Sequence, residues 1–272
     1  MSHDLLEVTV VAKEFQKLLI IKDVRFGIDA GEVVSMVGPS GCGKSSLLRI
    51  IAGLDRNYSG AVQLSGRRPH LPSRDIGLIF REPRLLPWLT VAENVALELG
   101  RKARHDSRVT QLLAEVGLSD FATAYPKQLS SGMAQRAAIA RSLFHQPTLL
   151  LLDEPFSGVD ATTRRQLQDL LLSLTGHRRT TVLLVTQDTN EAVYLSDRVI
   201  VLAPRPGRIS GQAFVDARRP RDRRNPELAK CEAEVLTLLI DGTSNFFDLS
   251  YDLARAPRRW QAARLSSFNF AI

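Results

Sequence analysis

An α/β protein with a mainly parallel sheet is the fold class that the sequence predicts, because strand-like and helix-like segments alternate along it. Three segments carry this reading. Val33–Val37 is a β-branched run that enters a glycine-rich turn, and Leu47, Leu48, Ile50 and Ile51 then mark the apolar side of a short helix that Gly53 can terminate. Residues 148–152 and Thr181–Val185 are apolar without alternation, the pattern of strands covered on both faces. Between these core segments, residues 83–145 change character and read as a helical insertion. Thr90 with Glu93 forms a capping box that opens one helix there, and Ala134, Ala137, Ala138 and Ala140 favour another. From Asp216 onward the pattern weakens, and residues 243–272 form a tail of unassigned role that includes Phe246, Phe247, Tyr251, Trp260, Phe268 and Phe270.

The totals exclude several classes. A chain of 272 residues with 44% hydrophobic content supports a substantial core. Its apolar runs are short, whereas a membrane-spanning helix needs about 20 apolar residues. The opening Met1-Ser2-His3-Asp4 lacks the basic and apolar regions of a signal peptide. Two cysteines, Cys42 and Cys231, give no disulfide framework, which fits a reducing cytosol. The net charge is +7, and arginines cluster at Arg218, Arg219, Arg221, Arg223 and Arg224. A solvated basic stretch is preferred there over a nucleic-acid or lipid contact, because no aromatic residue interleaves with the arginines.

The strongest motif is Gly38-Pro39-Ser40-Gly41-Cys42-Gly43-Lys44-Ser45, which fits G-x-x-x-x-G-K-[ST]. Glycines let the backbone fold tightly, so that successive N–H groups point at phosphate oxygens, and the following helix adds its positive end. Lys44 is placed to pair with the β and γ phosphates, and the Ser45 hydroxyl to bind Mg²⁺. Ser46 continues the same first turn, and Cys42 reads as a small filler. An ordinary glycine turn is the bland alternative, and the position between a strand and an amphipathic helix argues against it. Downstream, the apolar residues 149–152 run into Asp153-Glu154-Pro155. Ligands gather at the carboxyl ends of strands in open α/β sheets. Asp153 is therefore a candidate Mg²⁺ ligand, and Glu154 a candidate general base or orienting group for the attacking water.

Those two motifs also describe kinases, GTPases and helicases. Between them lies Leu129-Ser130-Ser131-Gly132-Met133-Ala134-Gln135-Arg136, which resembles the LSGGQ-x-x-R signature of ATP-binding-cassette (ABC) proteins. A serine and a glycine at a helix N-terminus make an anion site, although a plain Ser-Ser-Gly helix cap is the local alternative. The resemblance covers roughly residues 5–242. It implies a P-loop NTPase (RecA-like) core with an antiparallel β subdomain and an inserted α-helical subdomain, here residues 83–145 of an ATP-binding domain spanning 1–242. It further implies that Ser130, Ser131 and Gly132 reach across a dimer to the γ-phosphate held by the other subunit, so that two ATP molecules are sandwiched. Phe15 looks like the aromatic residue that stacks on adenine, though alone it would read as core. Ser157-Gly158-Val159-Asp160 resembles the family's D-loop, with Asp160 at the dimer contact. Glu82-Pro83-Arg84-Leu85-Leu86-Pro87-Trp88 and Pro206-Gly207-Arg208-Ile209 look like the nitrate, sulfonate and taurine importer branch. Trp88 is either a contact for a membrane subunit or a buried structural residue.

Three positions that the resemblance places at the γ-phosphate depart from the family pattern. Arg81 stands where glutamine is usual, Ser131 replaces the signature's first glycine, and Gln187 stands where histidine is usual. Arg81 has only donors and cannot ligate a cation, and Gln187 can hydrogen-bond a phosphate but carries no charge. Losing one stabilising donor in a transition state costs about 10²- to 10³-fold in rate. Nucleotide binding is therefore expected to survive better than turnover. The resemblance as a whole implies an importer ATPase subunit using ATP and Mg²⁺, peripheral on the cytoplasmic face of a bacterial inner membrane. Its implied partners are two transmembrane permease subunits, a second ATP-binding subunit and an extracytoplasmic solute-binding protein, with no nucleic acid. The rivals are a regulatory or mixed-dimer subunit with attenuated catalysis, a soluble ABC protein acting on nucleic acid, and a P-loop kinase.

Overall fold

The computed structural model describes residues 4–69, 73–204 and 206–244, so most of the tail lies outside the described residues. In chain order the strands are β1 (Asp4–Phe15), β2 (Leu18–Asp29), β3 (Val33–Val37), β4 (Ser59–Leu64), β5 (Ile76–Ile79), β6 (Leu149–Asp153), β7 (Thr181–Val185), β8 (Arg198–Leu202) and β9 (Ile209–Phe214). The α-helices are α1 (Lys44–Ile51), α2 (Val91–Val95), α3 (Ser107–Glu115), α4 (Ser131–Leu143), α5 (Ala161–Arg178), α6 (Thr189–Leu195) and α7 (Pro226–Ser244). The chain divides into two compact units, one of Met1–Leu71 with Leu183–Ile272 and one of Pro72–Val182. Among the described residues, no helix is long and apolar enough to cross a membrane.

In the first unit, β2, β1 and β4 form an antiparallel sheet in that order. Leu6, Val8 and Val10 alternate inward along β1, and Val8 faces Phe26 on one side and Val62 on the other. The β1–β2 hairpin closes through Gln16 and Lys17, both at positive φ, as a tight two-residue turn requires. The strands β3 and β8 are buried at every position and pair in parallel, while β9 joins β8 antiparallel. The helix α1 buries Leu47, Leu48, Ile50 and Ile51 and stops as its sequence predicts. Gly53 has φ +74°, its N–H bonds to the Ile50 carbonyl at 2.9 Å, and the Leu54 N–H bonds to the Arg49 carbonyl at 2.9 Å. Those two bonds satisfy carbonyls that a helix end leaves open.

One buried ion pair ties this unit together. Arg198, on β8, donates to Glu32 at 2.8 and 3.2 Å, to Gln212 Oε1 at 2.8 Å and to the Gly27 carbonyl at 2.6 Å. Truncating one partner of such a pair strands a charge, which costs about 3–5 kcal/mol. Glu32→Ala is accordingly expected to lose stability of that order in urea unfolding, whereas deleting one member of the exposed Asp222–Arg224 pair, as in Asp222→Ala, changes it little.

The arginine cluster is only in part the solvated stretch that its composition suggests, since Arg218 and Arg224 are exposed while Arg221 is not. Arg221 is buried and donates to the carbonyls of Val193, Tyr194, Ser196 and Ala217 at 2.7–3.1 Å. Arg219 bonds the Leu195 carbonyl at 2.6 Å and pairs with Asp197 at 2.9 Å. These cations satisfy the open C-terminal carbonyls of α6, where positive charge is favourable. Burial pushes the Arg221 guanidinium down to about 10, which still leaves it charged at neutral pH. The helix α7 was not read from the weakening pattern, yet it runs for 19 residues and buries Leu228, Cys231 and Val235.

In the second unit, β5 and β6 pair in parallel from Ile76↔Leu149 to Ile79↔Leu152. The unit is wider than the helical stretch 83–145 because it also holds β5, β6 and α5. The capping box at α2 is present, with the Thr90 N–H on Glu93 at 2.8 Å and the Glu93 N–H on Thr90 Oγ1 at 3.3 Å. Asn94 is fully buried and satisfied by the Leu86, Leu89 and Thr90 carbonyls and the Leu86 N–H. That bracket fixes the loop carrying Trp88, whose side chain is 68% exposed and is therefore not the buried alternative.

Candidate functional site

In the first unit, β3 delivers the chain into the loop 38–43 and α1 continues from it. Gly41 and Gly43 have φ +75° and +103°, a region that side chains avoid. Gly43 is also tight against β2, since a Cβ there would lie 2.8 Å from Ile21 Cγ1. Lys44 is buried, and its ammonium donates to the carbonyls of Gly38 at 2.8 Å and Pro39 at 3.0 Å. Among the described residues no carboxylate lies within ion-pair distance of it. No acidic residue stands in the first turn of α1, and no side chain caps it. An ammonium and a bare helix N-terminus therefore concentrate positive charge around one loop. The Cys42 thiol is buried, and burial raises its pKa and keeps it neutral, as befits a filler.

Ser45 and Ser46 are half-buried on the first turn, and Pro39 and Ser40 are exposed. The Ser40 hydroxyl donates to Gln187 Oε1 at 3.2 Å, so the loop and the end of β7 meet through these side chains. Asp188 caps the adjoining α6 by accepting from the Glu191 N–H at 3.0 Å. With Arg221 at the other end of α6, this helix holds the backbone beside Gln187 at both termini. Phe15, at the β1–β2 hairpin, is 62% exposed and is not a core residue.

In the second unit, Asp153 ends β6 and Glu154 follows with φ +46°. The Arg81 guanidinium lies 3.9 Å from Glu154 Oε2, with side chains 67% and 18% exposed. Arg81, a candidate nucleotide-site residue, thus pairs with the candidate base. Ser130 caps α4 by accepting the Met133 N–H at 3.2 Å, so the local helix-cap reading also holds. Met133 itself stands where the signature pattern has glutamine. Ser131 is exposed, and Gly132 is buried against α5, where a Cβ would come 2.5 Å from Thr163 Cγ2. Asp160 caps α5, accepting from the Thr162 and Thr163 N–H groups at 3.0 Å and the Thr163 hydroxyl at 2.6 Å, and these bonds hold its carboxyl below the usual range. Thr163 thus joins Gly132 to Asp160. Gln135 is a residue that sequence reading missed: it is buried and donates to the Phe80 carbonyl at 3.2 Å, linking α4 to the residue before Arg81. Polarity at an apolar helical position was its only signal.

Residues 21–157 match the family described as ABC transporter. The chain belongs to this family. It is 51% identical over 244 residues to aliphatic sulfonates import ATP-binding protein SsuB 2 of Burkholderia cenocepacia, covering 90% of this chain and 89% of that one. It is 54% identical over 238 residues to SsuB 1 of Xanthomonas axonopodis pv. citri, covering 86% and 94%. Among solved structures, an ATP-binding cassette in a dimeric post-hydrolysis state with ADP and Pi superposes with a TM-score of 0.67 at 32% identity, over 78% of this chain and all of that one. The cbiO1 protein of Clostridium perfringens, part of the ABC transporter complex cbiONQ, shares the fold with a TM-score of 0.70 at 24% identity, over 86% and 94%. The chain is an ATPase subunit of the ABC kind, with the P-loop NTPase fold expected from its motifs.

Proposed function

We propose that this chain energises import of a small solute of the nitrate, sulfonate or taurine kind, with aliphatic sulfonates first. The solute class rests on the relatives named as aliphatic sulfonates import ATP-binding proteins. The chain works at the cytoplasmic face of a bacterial inner membrane beside two permease subunits and a second ATP-binding subunit, with a solute-binding protein outside. Nucleic acid has no place in this reading, since Arg219 and Arg221 are committed to α6.

One observation supports the nucleotide chemistry above all others: the Lys44 ammonium is buried on loop carbonyls, with no carboxylate partner among the described residues. A buried cation left this way favours a polyanion. In this role Gly38, Pro39, Ser40, Gly41, Cys42 and Gly43 wrap the phosphates, Lys44 pairs with the β and γ groups, and Phe15 stacks on adenine. The hydroxyl of Ser45 and the carboxylate of Asp153 are hard oxygen donors, the kind that Mg²⁺ takes along with phosphate oxygens. Glu154 accepts the proton of the attacking water, and Gln187 hydrogen-bonds the γ-phosphate. Ser130 and Gly132 of a facing copy complete the nucleotide shell, with Ser131 crowding it and Asp160 at the dimer contact. Closing on two ATP molecules then shifts the membrane subunits between conformations.

The Arg81–Glu154 pair favours a second reading, a subunit whose turnover is attenuated. The guanidinium stands beside the carboxylate oxygen that would receive the attacking water. In the purified assembly with its membrane subunits, the Arg81→Gln, Gln187→His double variant is expected to hydrolyse ATP about tenfold or more faster than wild type. Equal rates would remove the attenuated reading and leave the importer ATPase intact. Solute uptake into vesicles carrying the assembly tests the main reading, which fails if sulfonates do not stimulate hydrolysis or accumulate.

A further inference from the structure

The segment Pro206-Gly207-Arg208-Ile209 carries no role in the chemistry above, yet it touches the phosphate loop directly. The Gly207 N–H donates to the Ile20 carbonyl at 2.7 Å, and the Lys22 N–H donates to the Gly207 carbonyl at 3.0 Å. Gly207 is thereby bonded alongside β2 as one residue of added strand. The Ala203 N–H closes the β8–β9 connection on the Arg208 carbonyl at 2.8 Å. The open side of Gly207 lies on the phosphate loop: a Cβ there would run into the Cys42 carbonyl oxygen and stand 3.1 Å from its carbonyl carbon. That obstacle is backbone, so a small side-chain movement cannot relieve it.

The Cys42 carbonyl belongs to the Cys42–Gly43 peptide. In a planar trans peptide the C=O and N–H point in opposite directions. Holding that carbonyl against Gly207 therefore turns the Gly43 N–H the other way. Among the described residues no acceptor takes the Gly43 N–H. Gly43 is confined from its second side by Ile20 and Ile21, and Gly38 by Cys42 Sγ and the Leu202 carbonyl, each within 2.8–3.3 Å of an added Cβ. We propose that Gly207 is a positioning residue for nucleotide binding, which sets the Cys42–Gly43 peptide so that its amide faces phosphate before nucleotide arrives. This rests on the phosphate-loop reading given above. The advantage is preorganisation: an amide already aimed loses no freedom when the anion binds.

Gly207→Ala tests it, with Gly211→Ala as the control. Gly211 lies in β9, and its added Cβ would meet the end of the Leu238 side chain at 2.6 Å, away from the loop. Gly207→Ala is expected to weaken MgATP and MgADP binding about tenfold or more, the worth of a charge-assisted hydrogen bond. KM should rise with it while kcat stays within about threefold, because ground-state and transition-state phosphate contacts are lost together. Gly211→Ala should lower the melting temperature and leave both constants in place. Wild-type affinity in Gly207→Ala, or an equal loss in Gly211→Ala, would overturn the proposal. Should Gly207→Ala not fold, hydrogen exchange on the nucleotide-free wild type decides: slow exchange at the Gly207 and Lys22 amides supports it, and free exchange overturns it. A wild-type chain that bound no MgATP would remove the phosphate-loop reading itself, and this inference with it.

Discussion

Replacing Lys44 by alanine should abolish measurable nucleotide binding and, with it, hydrolysis. The ammonium is the one side-chain charge in the loop, and it sits buried where water screens it poorly. A charged hydrogen bond contributes about 1.5–3 kcal/mol, and the close approach of two phosphate groups to one ammonium adds to that. The α1 N-terminus alone supplies only about 0.3–1 kcal/mol for an anion, so the helix end cannot compensate. A loss of at least about 100-fold in affinity follows. Titration with a fluorescent ATP analogue measures it, and the methionine variant separates charge from packing. Unfolding in urea should shift little, because Lys44 donates to carbonyls that other groups or water can serve. Retained affinity in Lys44→Met would show that something other than this loop holds the nucleotide.

Glu154→Gln should have the opposite profile, with binding kept and turnover lost. The amide matches the carboxylate in shape but cannot take a proton from water. General-base catalysis is worth about 10²- to 10⁴-fold, so the rate should fall by at least about 100-fold at saturating MgATP. Stability should hardly change. Arg81 loses an ion-pair partner, but a pair at 3.9 Å with the arginine side chain 67% exposed contributes less than about 1 kcal/mol. The two variants thus separate binding from chemistry. Lys44→Ala removes both, and Glu154→Gln only the second.

Much of this was legible because the signals are local. The strands β6 and β7 read as apolar stretches without alternation since both of their faces are covered. The phosphate loop is fixed by its glycine spacing, and the box at Thr90 and Glu93 by a three-residue offset. What the sequence hid depends on contacts between distant segments. The cluster around Arg221 looked solvated because composition records charge and not burial, while the fold turns two of those arginines onto the end of α6. The pairing of Arg81 with Glu154 and the approach of Gly207 to Cys42 have no periodicity to betray them. The helix α7 was a readable miss. Asn225 caps it through the Glu227 N–H at 2.9 Å, Pro226 stands at its first position, and Leu228, Cys231 and Val235 follow at helical spacing.

The sharing of each nucleotide between two copies is tested most directly by sedimentation equilibrium of the purified Glu154→Gln chain with saturating MgATP, with bound nucleotide counted in the same sample. The expected species holds two chains and two ATP molecules, and Lys44→Ala placed in the same background returns it to single, nucleotide-free chains. A single chain fully loaded with ATP would contradict the roles given to Ser130 and Gly132, and a chain without nucleotide would contradict the loop at Lys44.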